Sequence, residues 1–340
     1  MVPRHPGRAG GGRSRGRRAS HRGPSDARPR ALGRVPIAHD RQLPRADGRR
    51  PARREGDRQD GTRSRLLKIG IVGLGLIGGS FALALRARHD VVGFDRSAAA
   101  RGAAANAGVN VVARLEEISG AMTIVATPMS EIVPIAERLA SRTDVGVVLD
   151  TGSLKRHLAA YAARAPERSR LVGGHPMAGG TASGFAAATA DLFRDRPFLL
   201  VPTARSDADA MAVAGEIVRD CGALATVCSA EVHDRAMARL ITAPLATATA
   251  LAVGAAEAAP LLDAAGPGFR DSTRLAETST DLALELLFGD VHAASAAIGS
   301  VVDGLEQLRE RLEQGDREYV RSFLLAAQSV RAELDADQLP

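Results

Sequence analysis

The octet GGHPMAGG at residues 173–180 sets one imidazole, His175, between glycines and a proline. Glycine and proline punctuate loops, so His175 is expected at the mouth of a strand. There it either does acid–base work near neutral pH or caps a turn. A second chemical segment, GLGLIG at 73–78, matches G-x-G-x-x-G. It follows the β-rich run LKIGIVG (67–73), opens a helical stretch, and is answered by Asp95, 22 residues beyond Gly73. In that context it reads as a dinucleotide fingerprint. Gly73 permits the tight turn, Gly75 lets the backbone approach a pyrophosphate, and Gly78 allows close helix–strand packing. Leu76, Ile77 and Gly78 open the helix whose free N–H groups face the phosphates. Asp95 suits both ribose hydroxyls and repels a 2′-phosphate, which favours NAD. Arg96 beside it could meet that phosphate and keeps NADP as the less favoured choice. Thr127 and Pro128 close the run AMTIVATP (121–128). They stand where ligands lie beyond the carboxyl ends of parallel strands, or they simply end a strand.

Positioning these groups requires alternating strands and helices. Strand-like runs are LKIGIVG, DVVGFD (90–95), AMTIVATP, DVGVVLDTGS (144–153), LVGGHP (171–176) and PFLLVP (197–202). Between them lie LIGGSFALALRA (76–87), SAAARGAAANAG (97–108) and SEIVPIAERLA (130–140), the last expected to be interrupted at Pro134. This alternation predicts a mainly parallel sheet covered on both faces. After about residue 229 the pattern is helical throughout. The expected organisation is an α/β Rossmann-type dinucleotide-binding domain over 66–228 and an all-α domain over 229–336, preceded by residues 1–65.

The 340 residues are 45% hydrophobic but only 3% aromatic, and Trp is absent, so helices packed through small side chains are expected. Residues 1–67 hold nineteen arginines against six carboxylates, a surplus of thirteen; the net charge of +6 therefore leaves 6 − 13 = −7 for the remainder. A mildly acidic body argues against nucleic-acid binding by the folded part. The leading segment, with runs such as GRAGGGRSRGRR, has no apolar period and is expected to be disordered. It reads as a basic arm or, the favoured alternative, as upstream sequence translated from a start placed too early. It lacks the apolar core of a signal peptide, and its acids and prolines disfavour a transit peptide. No run of 18 or more apolar residues is free of charge, so no membrane span is expected. Cys221 and Cys228 form no metal pattern and suit small buried positions in a reducing, cytoplasmic compartment.

Along the chain stand KIGIVGLGLIGGSFALAL, ATP, DTGSLK, GGHPMAGG with SG at 183–184, DLF at 191–193, HDRAMA, and GFRDSTRLA at 268–276. In this order they resemble the prephenate/arogenate dehydrogenase family of tyrosine biosynthesis, over nearly all of residues 67–335. The resemblance implies a Rossmann-type domain joined to a helical dimerisation domain, a homodimer, and a cleft built from two protomers. The implied reaction is NAD-dependent oxidative decarboxylation of a cyclohexadienol, prephenate giving 4-hydroxyphenylpyruvate or arogenate giving tyrosine. Hydride leaves the carbinol carbon, the ring carboxylate departs as CO2, and the ring becomes aromatic.

The residues fit these needs. A neutral His175 can take the hydroxyl proton as general base. Ser153 in DTGSLK can hydrogen-bond the same hydroxyl or act as the N-cap of a helix from about Leu154. Lys155 can attract a dianionic substrate, although an exposed first-turn lysine is the favoured reading. The family's arginine at position 274 binds a substrate carboxylate, a role suited to a guanidinium fork; a salt-bridged structural role fits Arg270 better. His233–Asp234 is expected to begin the long helix closing one side of the cleft, chiefly as structure. The chain also departs from the family. Where members commonly read SHLPH it reads ITAPL (241–245), so Thr242 replaces a substrate-facing histidine and Leu245 a second. The tryptophan and asparagine usual after GFRD are missing. A smaller, less basic pocket suits arogenate or a 4-amino analogue such as 4-amino-4-deoxyprephenate over the keto acid. A nucleotide-binding regulatory protein without turnover is the remaining alternative. Retention of Ser153, His175 and Arg274 argues against it.

Overall fold

The computed structural model describes residues 66–180 and 182–336. The expectations for residues 1–65 lie outside the described residues. Strands β1 (Lys68–Val72), β2 (Asp90–Phe94), β3 (Asn110–Val111), β4 (Gly120–Val125), β5 (Val145–Asp150) and β6 (Arg170–Pro176) alternate with α1 (Leu76–Leu85), α2 (Ala98–Asn106), α3 (Met129–Ala140) and α4 (Arg156–Arg164). Strand β7 (Pro197–Pro202), α5 (Ala208–Asp220) and β8 (Leu224–Val227) complete the sheet. The described strands form one eight-stranded sheet in the order β3-β2-β1-β4-β5-β6-β7-β8. All neighbours run parallel except β6 and β7. The order reverses between β1 and β4, the point where doubly wound sheets open a crevice for ligands.

Side-chain alternation along each strand supplies two cores. Ile69, Ile71, Ile124, Val147 and Leu149 face one side, where Phe81 of α1 stacks against Phe193 at 4.4 Å and meets Phe198 edge-on at 6.0 Å. Val72, Val125 and Val148 face the other, against Ile132 and Leu139 of α3 and Leu158 and Tyr161 of α4. Strands β3 and β8 are too short to carry a legible alternation, and the sequence reading names neither. The expected interruption at Pro134 is corrected: α3 runs unbroken through it. The proline sits one and a half turns from the helix start and forfeits only one ladder bond near that end.

From residue 230 the described chain is helical. Helix α6 (Ala230–Met237) passes through a π-helical turn, Ala238–Thr242, into α7 (Ala243–Gly254); α8 (Pro267–Thr273), α9 (Thr280–Gly289), α10 (Val291–Glu313) and α11 (Arg317–Ala336) follow. The helical span Ala230–Glu257 is long and apolar enough by composition to cross a membrane, with a window mean hydropathy of 1.5. That tempers the expectation of no candidate span. In the fold, this helix buries Ala238, Ala243, Leu245 and Ala248 and packs on Ala297 of α10. Its Thr247 and Thr249 hydroxyls donate to the carbonyls of Ala243 and Leu245.

Candidate active site

The turn after β1 is shaped for close backbone approach. Gly73 adopts φ +93°, a left-handed conformation that favours glycine, and a Cβ there would stand 2.4 Å from the Ala126 carbonyl oxygen. A Cβ on Gly78 would fall 1.8 Å from the Gly73 carbonyl oxygen, so that position is closed to any side chain. Gly75 differs: a Cβ there would meet open space. It is the N-cap of α1, and no side chain caps that helix. The N–H groups of Leu76, Ile77 and Gly78 therefore open its first turn, the place where an anion binds.

Beyond this turn lies a cavity of about 380 Å³ lined by Gly73, Gly75, Asp95, Arg96, Thr127 and Pro128, among others. Asp95 is held rigidly: Oδ2 accepts from the Leu74 N–H and Oδ1 from the Ser97 N–H, both at 2.8 Å. Exposed Arg96 faces Glu131 at 3.5 Å, a partner that competes with a 2′-phosphate. The Thr127 hydroxyl is buried and has no hydrogen-bond partner among the described residues. A buried unpaired hydroxyl at a cavity wall is a donor waiting for a ligand. The open cradle at Gly75, the uncapped α1 and the Thr127 hydroxyl fit a dinucleotide with free ribose hydroxyls.

At the carboxyl end of β6 stands His175, only 5% exposed. Its Nδ1 lies 3.0 Å from Nε2 of His233, whose Nδ1 lies 2.7 Å from Asp234 Oδ1. Asp234 also accepts the Lys155 N–H (2.8 Å) and the Arg156 N–H (2.9 Å), capping α4 from across the fold. Burial disfavours its charge, but the His233 bond and the two backbone bonds outweigh this and hold the carboxyl below its ordinary range. An ionised Asp234 fixes the protons of the network. His233 must donate through Nδ1, so its Nε2 accepts. His175 then donates through Nδ1, which leaves its Nε2 lone pair free. Burial chiefly, helped by the Lys155 cation and His233 and opposed by Asp234, drives the His175 pKa well below the ordinary histidine value. His175 is thus a neutral acceptor at pH 7.

Lys155 corrects the sequence reading. It is 1% exposed, not the exposed first-turn lysine expected. Its Nζ donates to Asp150 Oδ2 and to the Gly174 carbonyl, while Asp150 Oδ1 accepts the Gly174 N–H at 2.9 Å. The buried pair therefore grips both backbone polar groups of the residue before His175. Burial lowers the Lys155 pKa and Asp150 opposes that shift. The N-cap expectation for Ser153 is corrected too: α4 begins at Arg156, and Asp234 does the capping. Ser153 is half-buried in the loop after β5.

His233–Asp234 is the feature sequence reasoning undervalued. Adjacent residues on a helix face different directions; here one reaches His175 and the other α4. The available signal was the pairing of an otherwise unexplained HD dipeptide with HPMAGG. Thr242 is buried at the end of the π-helical turn, a feature frequent at functional sites. Arg274 opens the 3₁₀ turn Arg274–Glu277 that packs on α7; it is exposed and, among the described residues, has no ion pair. Arg270 donates to the Ala265 carbonyl at 3.2 Å rather than to a carboxylate.

Comparison with known proteins identifies the family of the fold. Residues 81–227 match the family model described as prephenate dehydrogenase, nucleotide-binding domain. Residues 229–326 match prephenate dehydrogenase, dimerization domain. A prephenate dehydrogenase of Bacillus subtilis is 31% identical over 276 residues, covering 77% of this chain and 74% of the relative. A cyclohexadienyl dehydrogenase of Zymomonas mobilis is 28% identical over 284 residues, covering 79% and 96% respectively. The crystal structure of Synechocystis arogenate dehydrogenase superposes with a TM-score of 0.68 at 26% identity, covering 78% of this chain and 99% of that one. The chain belongs to the prephenate dehydrogenase family.

Proposed function

We propose that the protein oxidises and decarboxylates a cyclohexadienol carboxylate, prephenate or arogenate, with NAD+ as hydride acceptor. One observation carries the reading: a buried neutral histidine, its proton position set by His233 and Asp234, stands at the same sheet edge as a dinucleotide cradle.

Gly73, Gly75 and the first turn of α1 would hold the pyrophosphate, Asp95 the adenine-side ribose, and Thr127 with Pro128 the nicotinamide side. When bound, NAD+ supplies the hydride acceptor. His175 accepts the hydroxyl proton at Nε2 as hydride leaves the carbinol carbon. A depressed pKa suffices, because a hydroxyl on a carbon losing hydride becomes strongly acidic. His233 and ionised Asp234 stabilise the imidazolium through its Nδ1–H. Loss of the ring carboxylate as CO2 pushes its electron pair into the ring, and the proton held by His175 returns to the phenolate oxygen. No net proton is consumed. Ser153 donates to or accepts from the same oxygen, and Arg274 receives a substrate carboxylate as a fork. Neutral Thr242 and Leu245, at the positions where the family carries histidines, favour a zwitterionic side chain over a keto acid.

The assembly we propose is a homodimer in the cytoplasm. Large apolar side chains stand exposed on the helical part, including Leu251, Val253, Leu282, Leu284, Phe288 and Val291, a surface of the kind that partners cover. Free thiols at Cys221 and Cys228 accord with a reducing compartment. The test is kcat/KM for NADH formation with prephenate and with arogenate. Arogenate is expected to lead. A prephenate advantage beyond about tenfold, or about 1.4 kcal/mol of transition-state binding, would overturn the substrate preference, and turnover with neither would overturn the function.

A further inference from the structure

Helix α9 touches both loops that carry the candidate cofactor and substrate groups. Glu285, in its middle, reaches the N-terminus of α3, directly after Thr127–Pro128. Its Oε2 accepts the Met129 N–H at 3.1 Å; its Oε1 accepts the Ser130 N–H at 3.2 Å and the Ser130 hydroxyl at 2.9 Å. Helix α3 has no cap of its own, since Pro128 occupies the N-cap position. The carboxylate therefore supplies partners for N–H groups that the helix leaves open, at the end where its dipole favours negative charge.

One turn further on, α9 meets the loop after β5. A Cβ at Gly289 would stand 2.3 Å from Leu154 Cδ1, so the two meet closely and any side chain there would push that leucine's end aside. His157 Nε2 donates to the Gly289 carbonyl at 3.1 Å, and Arg156 pairs with Asp290. The helix begins six residues after Arg274. Helix α9, which follows the 3₁₀ turn bearing Arg274, thus ties the turn after Thr127–Pro128 to the start of α4.

We propose that Glu285 is a positioning residue for the cofactor. It holds the first turn of α3, and so the Thr127–Pro128 turn, in the geometry that receives the nicotinamide side. The inference rests on the dinucleotide reading of the site. It assigns to a residue of the helical part a share in NAD+ affinity that no cofactor-contacting motif contains.

The experiment is calorimetric titration of NAD+ into the full chain and into Glu285→Ala, Glu285→Gln and Ser130→Ala, with KM for NAD+ and kcat measured alongside. Glu285→Ala is expected to bind NAD+ about tenfold more weakly, the equivalent of about 1.4 kcal/mol, with kcat at saturating NAD+ little changed. Glu285→Gln keeps one acceptor oxygen and should fall between it and wild type; Ser130→Ala, which loses one bond, should show the smallest loss. If Glu285→Ala does not fold, the two milder variants carry the same ordering. Thermal destabilisation with NAD+ affinity preserved would reduce Glu285 to a structural cap and overturn the proposal, as would a fall in kcat with affinity unchanged. A wild-type chain that does not bind NAD+ would overturn the dinucleotide reading and the inference with it.

Discussion

Asp234→Asn separates the charge of the relay from its geometry. Asp234 Oδ1 serves His233 and the Lys155 N–H, while Oδ2 serves only the Arg156 N–H. An asparagine oxygen placed at Oδ1 keeps two of the three bonds and leaves the proton on His233 Nδ1. The opposite orientation keeps one and forces His233 to invert. The first orientation wins, so the variant loses the anion but keeps the tautomers. The anion lies roughly 8 Å from the His175 ring, taking 5.1 Å between ring centroids and 2.7 Å for the hydrogen bond. At an effective dielectric constant of about 20, the lost attraction for an imidazolium is about 2 kcal/mol. That is about thirtyfold in kcat for a full positive charge in the transition state, and about sixfold for half a charge. Near-ultraviolet absorbance of NADH at saturating substrates reads it directly. Asp234 raises the His175 pKa, so its loss must also move the acid limb of kcat to lower pH. A variant within twofold of wild type, or an acid limb that moves up, would refute the relay.

Three further outcomes are expected. Gly75→Val should fold with an unchanged Tm and lose NAD+ affinity by about tenfold or more; Gly78→Ala should lower Tm, because its Cβ has no room. Lys155→Met leaves Asp150 buried without its cation, at a cost of about 3–5 kcal/mol in stability; denaturant unfolding reads this, and KM for the substrate should not rise as it would for a lost substrate attractor. The acid limb of kcat/KM should lie below pH 6.5, since His175 stays neutral until its lowered pKa is reached. By the same linkage its contribution to stability is present above the unfolded value near 6.5 and is lost as pH falls below it, because only the unfolded chain then binds the proton. A pH titration of both Tm and kcat/KM checks each.

The parts of the site legible in the sequence were those enforced by backbone geometry. Gly73 and Gly78 have no room for a side chain, Asp95 directly follows the second strand, and His175 lies near the end of a buried strand. Their types and spacing follow from local structure, so a linear reading recovers them. Lys155 was misread because its environment is assembled from β5, β6 and α6, and a lysine one residue before a helix usually faces water. Ser153 fits the composition of an N-cap, but the Asp234 carboxylate, 79 residues beyond Lys155, fills that place. Glu285 carries no local signal at all, since its partners lie 155 and 156 residues earlier in the chain. Pro134 shows the limit of a breaker rule near a helix start, where few ladder bonds remain to be broken.

His175 is proposed as the base of an NAD-dependent dehydrogenase. The most direct test of this role is NADH formation by the wild type and by His175→Ala, with NAD+ and either prephenate or arogenate, alongside NAD+ titration of both proteins. The wild type is expected to turn over, with a loss of about 10²–10⁴ in kcat for the variant and equal NAD+ affinity in both proteins. A variant that turns over within tenfold of wild type would contradict this role.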